Sequence, residues 1–214
     1  MVLSQAFRQG GDSHALAREK DPSNRLLHHY PTRRLEAEAI RDALLAVSGR
    51  LDSKLYGRPV LPYRTVEDPA KRLFSGPLDG DGRRSIYLQM SIMDPPKFLV
   101  GFNLPDLKLP TGRRDMTNVP SQALIMMNDP FVHAMAKHWA TRILGESHPD
   151  SAQRIRVMFL EAFGRWPNAQ ELQRWQKALV EFSEPSQGDH DRNPAAWQHL
   201  AHTFFNTKEF MYYR

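Results

Sequence analysis

Cysteine is absent from the chain, which removes disulfides, thiol nucleophiles, thiolate metal sites and covalent haem attachment from this segment. Long apolar runs are absent too. None exceeds Ala123 to Met127, far below the roughly 18 residues that a bilayer-crossing helix needs. The opening residues Met1 to Arg8 lack the charged start, apolar stretch and small-residue cleavage site of a secretory signal. That fits either a cytoplasmic protein or one whose signal lies upstream. No Gly-rich phosphate loop, Gly-x-Ser-x-Gly elbow or kinase-like motif occurs, so the common nucleotide and hydrolase signatures are missing, although a triad assembled in space leaves no such trace.

What is present is the balance of an ordinary folded domain. Of 214 residues, 41% are apolar and 25% charged, enough to bury a core and too apolar for a disordered tail. Sixteen prolines predict stiff, irregular connections. The formal charge of +5 is carried wholly by residues 1–120, with 19 Lys/Arg against 14 Asp/Glu, whereas residues 121–214 hold ten of each. The basic residues alternate with acids and form no block, the pattern of a solvated surface. Neither a basic stripe with interleaved aromatics nor a docking motif is present, which disfavours nucleic acid as a partner despite a pI near 9.6.

The predicted class is mainly α: a bundle of about six to seven helices with long Pro/Gly-rich loops and one or two short β-strands. Residues 1–20 read as the frayed edge of a larger domain, 21–118 as a helix and long-loop lobe with a short strand, and 119–214 as a helical bundle packed on it. Asp21-Pro22 predicts a short helix through His29. Thr32 is placed to cap a helix from Arg33 to Ser48, with Gly49 as its left-handed terminator. Residues 49–83 contain five Gly and four Pro with no helical period, a loop long enough to be functional or disordered.

Residues 84–90 alternate Ile86, Leu88 and Met90 with polar residues, the period of a half-buried strand. Pro120 opens a short helix whose apolar run to Met127 predicts burial on every side. Four further helices follow, opened by Asp129-Pro130, Asp150, the Asn168–Glu171 capping box and Asn193-Pro194, with a polar break at Glu184–Arg192 before the last.

Charged residues of the first half form the most informative set. On the predicted helix, Arg33 and Glu36 fall in the apolar arc with Ile40, Leu44 and Val47. A buried pair there would cost about 3–5 kcal/mol if either partner were removed. Arg34, Glu38 and Arg41 lie on the opposite face at the spacing of a solvated ion-pair ladder. The pairs Arg83-Arg84 and Arg113-Arg114, with Asp115, would form an anion site if they converge; otherwise they hold loops to the core through buried ion pairs and carbonyl bonds. Glu36, Asp94 and Asp115 are candidate acid or base groups for a carbohydrate-active hydrolase. Nine histidines are present, but His28-His29 diverge, His133 and His138 are five apart, and only His199 with His202 can share a helix face. Metal ligands are therefore not predicted.

The stretch Asn24-Arg25-Leu26-Leu27, the run Arg33 to Ala43 leading to Ser48-Gly49, Arg83-Arg84-Ser85-Ile86-Tyr87, and Arg114-Asp115-Met116-Thr117-Asn118-Val119-Pro120-Ser121-Gln122-Ala123-Leu124 before Asn128-Asp129-Pro130 resemble the planctomycete domain of unknown function numbered fifteen fifty-three. Phe163-Gly164-Arg165-Trp166-Pro167 and Asn206-Thr207-Lys208-Glu209-Phe210 resemble its closing pattern. The stretch Leu88 to Met93 departs from the expected form. The resemblance implies the C-terminal part of a large exported protein with a companion domain and often a cytochrome-c-like haem segment elsewhere. It brings no catalytic residue and no cofactor in this segment. The residues favour a non-catalytic binding or scaffold module, with a polyanionic glycan as a candidate partner of the arginine set, and the resemblance implies a place outside the cytoplasm and a companion domain of the same parent chain as partner; a hydrolase is the alternative.

Overall fold

A computed structural model of the chain describes residues 3–5, 8, 10, 11, 13–148, 150–183 and 190–213; most of the predicted polar break at 184–192 lies outside them. The described elements run α1 (Ala15–Lys20), β1 (Arg33–Arg34), α2 (Ala37–Val47), α3 (Lys97–Gly101), α4 (Pro120–Asn128), α5 (Pro130–Gly145), α6 (Ser151–Phe163), α7 (Ala169–Phe182), α8 (Pro194–Phe205), α9 (Lys208–Met211) and β2 (Tyr212–Tyr213). The fold is mainly helical with one two-stranded antiparallel sheet.

The later helices start where their caps place them. Asp129 accepts from the Phe131 N–H at 2.8 Å, Asp150 from Gln153 at 2.7 Å, and Asn193 from Ala195 and Ala196. Asn168 and Glu171 complete a reciprocal capping box on α7. Gly164 ends α6 at φ 68°, a left-handed conformation that glycine adopts without a Cβ penalty. The most extensive helix packing is α5 on α8, followed by α7 on α8 and α6 on α7. At their centre the buried Phe204 ring lies 3.9 Å from Trp175 and 5.2–5.5 Å from Trp139, Phe159 and Phe163, centroid to centroid. The same apolar cluster continues through Ile40, Leu44 and Leu45 of α2, so α2 shares its core with the bundle.

A charged clasp ties the start of α7 to α9. Arg165 donates to both carboxylate oxygens of Glu209 at 2.7 Å and to both of Glu171 at 2.7–2.9 Å. Its hydrogen bonds are the largest influence on Glu171 and outweigh burial, lowering the carboxyl from 4.5 to about 2. Because the folded value is the depressed one, the stabilisation is full above pH 4.5 and is lost as pH falls towards 2. With both groups partly exposed and screened, about 1 kcal/mol is expected. Urea midpoints should fall between pH 6 and pH 3, and fall less in Glu171→Gln; equal slopes for the two proteins would refute the assignment.

The chain departs from its sequence pattern in several places. Residues 22–29 form turns and not a helix, because the Asp21 carboxylate accepts from the N–H groups of Arg25 and Leu26 at 3.0 and 2.7 Å and Asn24 and Leu27 take positive φ. Helix appears earlier, at Ala15–Lys20. α2 starts at Ala37 and not at Arg33, because Arg33 and Arg34 pair in antiparallel register with Tyr213 and Tyr212; Gly49 then follows with φ 75° as its spacing predicts.

The predicted strand 84–90 is instead a 3-10 turn at Ser85–Tyr87, with Val60 bridging to Leu88 in parallel. Burial is inverted at two positions, Ser85 at 1% and Ile86 at 76% exposure, whereas Leu88 is buried as the alternation predicts. Ser85 goes inward because its N–H and hydroxyl both donate to Asp42 at 2.7 Å. Finally, α4 is not buried on every side. Only Gln122 and Met126 are buried, while Leu124 and Met127 are more than half exposed.

Candidate functional site

Loops 62–66, 77–80 and 94–96 stand over α2, α3 and the start of α5 and enclose a cavity of about 330 Å³. Pro62, Pro77, Pro95, Pro96 and Pro130 line it; they carry no N–H and hold φ near one value, so the wall is apolar and pre-shaped. Phe98, Phe131, Leu78 and Leu88 complete its apolar surface.

Five charged side chains also reach it: Arg41, Arg64, Asp94, Lys97 and Asp129. Arg64, with its side chain 6% exposed, donates through Nη1 to both the carbonyl and the carboxylate of Asp94. Its Nε–H has no acceptor among the described residues. The Arg64 N–H donates to Ser75 Oγ, which returns a bond to the Arg64 carbonyl, fixing the loop that presents the guanidinium. Asp129 faces the cavity while capping α5; burial raises its pKa, against the lowering effects of the Phe131 N–H and His133.

Arg41, 5% exposed, donates to the carbonyls of Arg83 at 2.9 Å and Asp79 at 2.7 Å and to Ser85 Oγ at 3.3 Å. Burial, its largest influence, lowers the pKa to about 10 against the pull of Asp42 and Asp79, which leaves it cationic at neutral pH.

The sequence-predicted residues distribute along α2. Arg84 pairs with Asp42 at 3.3 Å and Arg114 with Glu38 at 2.6 Å and Glu36 at 3.2 Å. Asp42 and Glu38 are one turn apart, so both Arg-Arg pairs are tied to neighbouring positions on one helix. For Glu38 burial is the largest influence and opposes ionisation, but Arg114 and a backbone N–H together hold the pKa below its ordinary value. Arg83 turns to the carbonyls of Lys54 and Tyr56, each at 2.6 Å, and lies 4.0 Å over the Tyr87 ring. Arg113 and Asp115 are exposed.

The expected ladder of Arg34, Glu38 and Arg41 is replaced by burial of both arginines. Arg34 donates to the carbonyls of Phe102 and Thr117 and to Asn103 Oδ1. Arg33 and Glu36 are exposed and do not form the predicted interior pair. The reason is the late start of α2: residues placed on helical arcs by sequence spacing lie in β1 or at the cap.

A family model described as PSD1, a protein of unknown function (DUF1553), matches residues 1–179. The chain belongs to this family. No curated protein and no solved structure matches it. Within the DUF1553 match lie every residue of the cavity wall and the arginines tied to α2, whereas Asn206–Phe210 lie beyond it.

Of the candidate acids, the DUF1553 chain places Asp94 in the large cavity, and Glu36 and Asp115 beside a separate niche of about 10 Å³. His202 stacks on His133 with centroids 4.3 Å apart. Burial lowers its pKa, and each ring is within hydrogen-bond distance of a carbonyl near the end of α4. No group of three or more His, Asp or Glu among the described residues is placed to hold a metal, and no described helix is long and apolar enough to cross a membrane. Sequence reading passed over Arg64, Lys97 and the cavity-facing role of Asp129. Only Asp129 carried a local signal, the Asp-Pro cap.

Proposed function

We propose that this DUF1553 chain is a non-catalytic binding module whose arginines hold long loops as a rigid frame around a ligand-accepting cavity. One observation carries it: Arg34, Arg41 and Arg83 are all buried and donate to loop carbonyls, while Arg84 and Arg114 are matched by carboxylates of α2. Guanidinium groups engaged in this way stabilise irregular backbone that has no ladder of its own. The two carboxylates of the cavity likewise have structural duties, Asp94 on Arg64 and Asp129 on α5, which supports binding over a two-carboxylate hydrolysis.

The setting that the family resemblance implies completes the reading: an extracytoplasmic, multidomain parent with a companion domain, and a haem carried elsewhere in it. Exposed Arg113, beside Arg114, offers the open end of the set Arg83, Arg84, Arg113, Arg114 and Asp115 to a polyanionic glycan. The test is retention of the chain on sulfated, uronate-containing and neutral glycans, with release of reducing ends followed on the same samples. Retention without release is expected; sustained release would establish an enzyme and overturn the reading.

A further inference from the structure

We infer that His133 and His202 form an acid-sensitive latch, which holds the end of α4 against α5 and α8 at neutral pH and releases it on mild acidification, loosening the α3 wall of the proline-lined cavity with it.

The latch arises from a gap in the hydrogen bonding of α4. In a continuing helix the Met126 carbonyl would accept from the N–H four residues on, but that residue is Pro130, which has none. The Met127 carbonyl would accept from Phe131, whose N–H goes instead to the Asp129 carboxylate. Two imidazoles take their place. Nε2 of His202, on α8, donates to the Met126 carbonyl at 3.0 Å, and Nε2 of His133, on α5, to that of Met127 at 2.9 Å. A carbonyl only accepts, so both Nε2 atoms carry their hydrogen and an added proton enters at Nδ1.

Serving neighbouring carbonyls brings the rings face to face, with centroids 4.3 Å apart and 21° between their planes. Neutral imidazoles stack at that distance, whereas two imidazolium ions repel. His133 is exposed and open to protons. Burial disfavours a charge on His202, and so do His133 and His199, the latter one turn earlier on α8. Asp129, at the head of α5, is an opposing charge within reach of His133; Lys137, one turn after His133, is exposed, and α4 has no charged residue. Because the folded value of His202 is the depressed one, its contribution is full above the ordinary 6.5 and is lost as pH falls through the folded value.

Release of α4 reaches the cavity by two routes. Ile125 packs so closely on Gly101 of α3 that an added Cβ would lie 2.2 Å from its Cδ1, and α3 supplies Lys97, Phe98 and Leu99 to the wall. The end of α4 also runs straight into Asp129 and Pro130, which line the same cavity.

The test is hydrogen exchange of the full chain at pH 7.5 and 5.5, corrected for the intrinsic rate, with the histidine ring signals titrated by NMR. Both pH values lie above the 4.5 from which the Glu171 clasp weakens. Protection of α4 should fall about tenfold between them, and that of α3 should fall with it, while α7 stays unchanged. In His133→Phe, which keeps a ring to stack but no charge, and in His202→Gln, which keeps a donor for Met126, the fall should be less than about twofold. The His202 ring should titrate below the free imidazole and move upward in His133→Phe. Equal protection of α4 at the two pH values, the same fall in both variants, or a His202 titration that His133→Phe leaves unmoved overturns the latch. Where a variant folds too poorly to measure, the wild-type exchange and the other variant decide.

Discussion

Arg41→Met is expected to destabilise the fold by about 3–5 kcal/mol, measured as a fall in the urea midpoint. Methionine approximates the volume of the aliphatic stem and so isolates the guanidinium. Removing that group strands the buried carbonyl of Arg83 and the partly buried one of Asp79 and breaks the bond to Ser85, and each buried acceptor left without a donor costs about 1–3 kcal/mol. It also leaves Asp42, 3.8 Å from Arg41, with one neighbouring cation fewer. Loop 79–85 is built around this side chain: a Cβ added at Gly80 would lie 2.8 Å from Arg41 Nη2, and Gly80 itself has φ 62°. An unchanged midpoint would show that these loops are held by something other than α2.

Phe204→Ala should cost a similar amount, about 3–5 kcal/mol, by a different mechanism. The ring is fully buried and touches aromatic partners from α5, α6 and α7 at once. Its loss opens a cavity that three helices would have to move to fill. Trp175, stacked on it at 3.9 Å, reports the change through its fluorescence in the native state. A loss below about 1 kcal/mol, the range of surface changes and soft sites, would mean that the bundle is organised around another contact.

Legibility followed the range of the interactions. α5 to α8 could be placed from the sequence because their caps and stripes act within three or four residues; Asn168 with Glu171 is such a case. The start of α2 could not, because the partner of Arg33 and Arg34 is Tyr212–Tyr213, and no local pattern announces a strand whose mate is that distant. Ser85 and Ile86 exchanged sides because Arg41 and Asp42 require a hydroxyl between them, which overrides the apolar alternation. Leu124 and Met127 remained outside because α4 rests on the rest of the molecule along only one narrow side. Arg64 gave no sign in the sequence. Its partner Asp94 stands in another loop 30 residues on, and such loops have no period to read.

The pairing of β1 with β2 bears on how the molecule is made. On a growing polypeptide, Arg33 and Arg34 are synthesised long before Tyr212 and Tyr213 exist, so their backbone groups stay solvated while the intervening helices assemble. Closing so large a loop is entropically costly and slow, and this ribbon therefore joins late, after the ribosome has delivered nearly the whole described chain. Until then the segment ahead of α2 is open to proteases and to strand partners from other molecules, a vulnerability that ends when the two tyrosines arrive.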